Sequence, residues 1–113
     1  MDCNQNFDDA AYLQSYILRK YPPMKHIDGS KFTETFRDSN TKHQAAVYAV
    51  MRCYDDSINK DIIDTLESIR NDYQIDELFS RQPINKRNFN IAYKVVDDLI
   101  RELKERRGEY NES

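Results

Sequence analysis

Large apolar side chains recur through the middle of this chain at steps of three or four: Val47, Val50, Tyr54, Ile58, Ile62, Leu66, Ile69 and Tyr73. That spacing is one face of an α-helix, and no Gly or Pro interrupts it. The pattern predicts a single long helix from about Lys42 to Asn71. Thr41 and Gln44 form a Thr-x-x-Gln capping box at its start, where the two side chains satisfy free end donors reciprocally. The seven steps of the stripe cover 26 residues, about 3.7 per step, whereas a left-handed coiled coil needs about 3.5. The rod is therefore expected to pack as an ordinary bundle helix and not as a dimeric zipper.

The flanks read as further helices. Asp8 is placed to cap a first one, with Tyr12, Leu13, Tyr16 and Ile17 on its apolar face. Tyr21-Pro22-Pro23 ends it, because proline disfavours helix in the residue before it. Asp28-Gly29-Ser30 reads as a turn and Phe32 to Arg37 as a short helix. Beyond the rod, Asn71-Asp72 loosens the helix. Ile75, Leu78 and Phe79 make an apolar turn, and Pro83 closes it. A last helix spans Lys86 to Arg107, with Phe89, Ala92, Tyr93, Val96, Leu99, Ile100 and Leu103 on one face. That spacing is nearer a heptad and suits a short coiled-coil seam. Gly108 is the expected stop, with Arg106 and Arg107 at the negative end of the helix dipole. No strand or repeat is read. The expected fold is all-α, an antiparallel helical hairpin or small bundle with one long central helix, completed by a partner subunit. Its expected parts are a flexible N-terminus (1–7), a helical head (8–82), the C-terminal helix (83–108) and a disordered tail (109–113).

Composition narrows the class. With 39% hydrophobic and 33% charged residues in 113, the core is thin and marginal for a chain acting alone. A net charge of −3 does not point to a nucleic-acid or membrane partner, and no apolar run reaches membrane-spanning length. The acidic start, MDCNQNFDD, lacks the basic and apolar regions of a signal peptide, so a cytosolic or nuclear protein is expected. Cys3 and Cys53 have no CxxC partner and are expected as reduced thiols.

The candidate chemistry is sparse. Gly29 and Gly108 are isolated, so there is no phosphate-binding loop. No HExxH or metal-spaced Cys/His set occurs. His26 and His43 read as surface or capping residues. Asp55-Asp56 and Asp97-Asp98 are adjacent, so on a helix their side chains point about 100° apart, and both pairs read as solvated faces. No catalytic residue, cofactor or metal is expected, and the chain does not read as an enzyme. Between Arg81 and Arg107 eight Lys/Arg stand against four Asp/Glu, a local balance of +4. This reads first as a charged outer face and second as a nucleic-acid patch. Tyr12, Tyr16, Tyr54 and Tyr93 lie on predicted apolar faces, which suits a core edge and an interface alike.

The stretch from Phe32 to Phe79 resembles the head region of the polyamine-modulated factor family, a subunit of the kinetochore MIND complex. An aromatic-Thr-acidic opening, Phe32-Thr33-Glu34, is followed by the aromatic Phe36. A long helix follows with Val50, Tyr54, Ile58, Ile62 and Ile69 at the matching apolar positions, then a polar break at Asn71-Asp72-Tyr73-Gln74 and an apolar turn at Ile75 and Leu78-Phe79. The likeness covers under half of the chain, and helical rhythm alone reproduces much of it. Family members continue into a long coiled-coil stalk, whereas only one further helix follows here. The resemblance implies a non-catalytic nuclear scaffold in which two head helices pack against two from a Mis-type partner subunit. Such a complex links centromeric chromatin, through an inner-kinetochore protein, to the outer kinetochore during chromosome segregation. On this reading Val50, Tyr54, Ile58, Ile62, Leu66, Ile69, Phe89, Tyr93, Val96 and Leu103 are the partner-binding positions. A small helical adaptor that docks a partner helix or peptide, in nucleus or cytoplasm, is the alternative expectation. A helical nucleic-acid-binding domain comes third.

Overall fold

An amphipathic helix must cover its apolar stripe. In a computed structural model, which describes residues 3–23, 34–55, 60–71, 75 and 85–111, the helices cover one another. They are α1 (Cys3–Lys20), α2 (Glu34–Asp55), α3 (Ile62–Asn71) and α4 (Lys86–Asn111). No strand occurs among the described residues, and the fold is an all-α bundle. α4 packs along both α2 and α3, while α1 packs mainly on α2.

Cross-helix pairs give the directions. Phe7 meets Tyr54 at one end of α1, and His43 meets the Tyr21 carbonyl just beyond its other end, so α1 and α2 are antiparallel. Asp9 meets Arg107 and Lys20 meets Asp98, so α1 and α4 are antiparallel too, and α2 and α4 run parallel. Arg70 meets Asp97 and Glu67 meets Lys104, which sets α3 antiparallel to α4. It follows that α3 runs opposite to α2.

The expected single rod is therefore corrected. The stripe is carried by two helices, α2 ending at Asp55 and α3 beginning at Ile62, and the chain reverses between them. Polar side chains stabilise the break. The Asp61 carboxylate accepts a hydrogen bond from the Ile63 N–H (3.1 Å), capping α3. Buried Asn6 donates from Nδ2 to the Lys60 carbonyl (3.0 Å) and accepts at Oδ1 from the Ile62 N–H (3.2 Å), satisfying two backbone groups that a continuous helix would have paired internally. Folded back, both halves of the stripe join one core.

That core is built from Ala10, Leu13 and Ile17 of α1, small residues of α2 (Ala45, Ala46, Ala49, Cys53) with Val50, then Ile62, Leu66 and Ile69 of α3, and Ala92 to Leu103 of α4. The small α2 side chains allow neighbouring helices a close approach. Each fully buried Leu or Ile contributes roughly 1.5–3 kcal/mol relative to exposure, whereas an exposed ion pair contributes about 0–1 kcal/mol. Burial of apolar side chains therefore stabilises the bundle more than its surface charges do. Cys53 is buried and not in a disulfide.

Several boundaries differ from expectation. α1 starts at Cys3, so residues 3–7 of the expected flexible N-terminus are helical, and Asp8 lies inside the helix. The short helix at Phe32–Arg37 and the rod start at Lys42 merge, since α2 runs unbroken from Glu34. Thr41 does not cap. Its hydroxyl donates back to the Arg37 carbonyl of its own helix at 2.9 Å. α4 continues past Gly108 to Asn111, into the expected tail, and Gly108 does not adopt the left-handed backbone of a helix-ending glycine. The expectations at His26, Asp28-Gly29-Ser30, Phe32, Ile58, Tyr73, Leu78, Phe79 and Pro83 lie outside the described residues.

Candidate functional site

Three features stand out from the helical scaffold: two polar hubs that tie α1 to the other helices, and one apolar groove. The first hub is Asp98. Its Oδ2 accepts from the hydroxyls of Tyr16 (2.7 Å) and Tyr21 (2.8 Å) and from the Lys20 ammonium (3.1 Å). Antiparallel packing of α1 on α4 brings these residues together, and Tyr16 and Lys20 stand one helical turn apart. Burial opposes ionisation of Asp98, and the Tyr16, Tyr21 and Lys20 donors outweigh it, holding the carboxyl below its ordinary value. Burial raises the Tyr21 phenol, and the bond to Asp98 raises it further. Lys20 is raised by its bonds to Tyr16 and Asp98. These shifts move every group away from neutral pH, the opposite of the tuning that a general acid or base needs. Beside it Asp97 accepts from Arg70 at 2.6 Å. The pair Asp97-Asp98 is thus no solvated face. Each carboxylate binds a different neighbouring helix.

The second hub joins α1, α4 and the start of α3. Arg107 donates to Asp9 (2.8 Å) and to Asp61 (2.8 Å), while Arg106 approaches Asp9 at 3.6 Å and lies over the Tyr12 ring at 4.4 Å. The Tyr12 hydroxyl donates to Glu102. Burial opposes ionisation of Asp61, but the Arg107 bonds and the end N–H groups of α3 hold its carboxyl below the ordinary value. No buried side-chain polar atom among the described residues lacks a partner. Both hubs spend their hydrogen bonds on holding the bundle.

His43 does cap, as one of its expected roles had it. Its Nδ1 lies 2.8 Å from the Tyr21 carbonyl at the end of α1, and since a carbonyl only accepts, the proton sits on Nδ1. Among the described residues no group of three or more His, Cys, Asp or Glu could hold a metal ion, and no described helix is long and apolar enough to cross a membrane.

The groove runs between α1 and α2 and is lined by Gln14, Ile17, Leu18, His43, Val47, Val50 and Met51, with a volume of about 230 Å³. That is below the roughly 300 Å³ at which small-molecule sites begin, and suits one or two inserted side chains. Leu18 (64% exposed) and Met51 (55%) stand open in its lining. Sequence reasoning missed this surface, because it took Leu18 and Met51 off the apolar faces and gave them no other role.

Of the described residues expected to bind a partner, Val50 alone lines the groove. Val50, Ile62, Leu66, Ile69, Val96 and Leu103 are buried in the chain's own core, Tyr54 and Phe89 are partly buried against it, and Tyr93 is exposed. Val95 takes the inward position expected for Tyr93. On α4, most basic side chains are engaged by carboxylates: Arg87 by Asp38, Arg101 by Asp97, Lys104 by Glu67, and Arg106 and Arg107 by Asp9. Such pairing leaves little positive charge for phosphates. No protein-family model, curated protein or solved structure matches this chain.

Proposed function

We propose that this chain is a non-catalytic helical interaction module that docks its partner on the α1–α2 face. The observation that carries this reading is the apolar groove with Leu18 and Met51 exposed in its lining, on a bundle whose buried side-chain polar groups are satisfied among the described residues. A lining without Asp, Glu, Lys or Arg and with Met51 exposed in it has the charge-depleted, Met-containing composition of an interface core. Affinity purification from the native cell, comparing wild type with Leu18→Glu and Met51→Glu, tests it. A partner lost with both variants and kept with Lys94→Glu on α4 is the expected result. Partners retained by both groove variants at wild-type yield would place docking elsewhere.

A kinetochore scaffold subunit is a narrower form of this reading, supported by the resemblance at Phe32-Thr33-Glu34 and the following apolar positions. A Mis-type partner would then bind the exposed α1–α2 face. Ile62→Asp is a poor probe of such binding, because Ile62 is 1% exposed and an unpaired carboxylate there destabilises the bundle itself. Co-expression with the partner and pull-down through Met51→Glu separates docking from folding.

A further inference from the structure

α1 meets its neighbours on two different stripes. Ala10, Leu13 and Ile17 are buried in the shared core. Asp9, Tyr12, Tyr16 and Lys20, also at steps of three and four, form the stripe beside it and reach α4. They meet Arg106 and Arg107, then Glu102, then Asp98, in antiparallel order. Tyr21, just past the helix, gives Asp98 a second hydroxyl. A polar ladder thus runs along the seam between α1 and α4. Apolar burial is distributed the other way. Of nineteen buried apolar residues among those described, only three belong to α1, over eighteen helix positions. α3 supplies Ile62, Ile63, Leu66 and Ile69 within ten.

The two kinds of contact respond differently when a helix parts from the bundle. Returning apolar surface to water is opposed by the hydrophobic effect. Ladder groups exchange their partners for water, and a buried carboxylate such as Asp9, 3% exposed, recovers its hydration. Lys20 and Arg106 already stand within reach of water. Bonds within the remainder of the bundle survive the loss of α1. Arg107 keeps Asp61, and the pairs Arg70–Asp97 and Lys104–Glu67 still join α3 to α4. We infer that α1 is a latch helix, which opens as one unit from an α2–α4 core that stays folded, with the ladder to Arg106, Arg107, Glu102 and Asp98 as its catch. Gln14, Ile17 and Leu18 are the α1 wall of the apolar groove. The groove therefore exists only while the latch is closed, whatever docks in it.

Native-state hydrogen exchange on the full chain, across sub-denaturing urea concentrations, is the test. An undocked helix of this length is marginal in water, so opening exposes its amides to exchange. The Leu13, Tyr16 and Ile17 amides should share one opening and exchange about tenfold or more faster than those of Leu99 and Leu103. Their urea dependence should be the weaker, because less surface is exposed. Asp98→Ala should speed both sets by the same factor, since both start from the closed state. Ile69→Val, placed in the core that stays folded, should speed the Leu99 and Leu103 amides severalfold and leave the α1 amides unchanged. One common rate and urea dependence for both sets overturns the inference. So does an equal acceleration of both sets by Ile69→Val, or α1 amides that exchange independently of one another.

Discussion

Asn6 does more per atom than any apolar residue of α1. Its amide satisfies one carbonyl and one N–H at the point where the chain turns from α2 into α3. Asn6→Ala should cost about 2 kcal/mol in urea denaturation, because both backbone groups are left buried without that partner. Asn6→Asp should cost more at neutral pH, since a carboxylate can accept from Ile62 but cannot donate to Lys60. Arg107 has a similar standing. Its loss strips Asp61 of its charge partner and leaves Asp9, 3% exposed, with the more distant Arg106 alone. Arg107→Ala should therefore destabilise by about 2–3 kcal/mol. Neither role is legible in the sequence. Asn6 and Arg107 are ordinary polar residues there, and only the meeting of three helix ends gives them partners.

Among the elements, α4 illustrates how far periodicity reaches. Its apolar face was legible at Ala92, Val96, Leu99, Ile100 and Leu103, all buried. The error at Tyr93 arose because Tyr93 and Val95 lie on opposite flanks of that face, and contacts with α2 and α3 decide which flank turns inward. Leu99→Ala should cost about 2–5 kcal/mol, while Tyr93→Ala should stay within about 0.5 kcal/mol, as for other surface positions. Parallel thermal melts of the two variants check the register. The division of the stripe is a second case. Five of the seven residues from Asp55 to Asp61 are Asp, Ser or Asn, types that favour caps and turns over helix interiors. The apolar rhythm runs straight through them, and it outweighed a break signal that was present.

Taken as a whole, the molecule is held by an apolar core with α1 clamped across α4 by carboxylate-centred bonds, and its stability should follow pH accordingly. Asp98 and Asp61 are held below their ordinary values. Their contribution is therefore present above the unfolded-state value of about 4 and is lost as pH falls through the folded value. Tyr21 and Lys20 are raised. Theirs is complete below the unfolded values near 10 and is lost as pH rises beyond them. The melting temperature should be flat between about pH 5 and 9 and fall on both sides. Asp98→Asn should lower the plateau and soften both falls, since one carboxylate serves the acid and the alkaline limb. An unchanged pH profile in that variant would remove Asp98 from its place at the hub.

The sequence by itself determined the all-α class and the apolar faces, because a period near 3.6 is a local property and no Gly or Pro interrupts it through the central stripe or within the apolar faces of α1 and α4. Tertiary structure decided the rest. Whether the stripe is one rod or a hairpin depends on Asn6 and Arg107, remote in sequence, meeting Lys60, Asp61 and Ile62. Which apolar residues stay exposed depends on how many helices the chain has available to cover them. Packing of the described helices left Leu18 and Met51 uncovered in the groove and enclosed Val50, Ile62, Leu66 and Ile69 of the stripe.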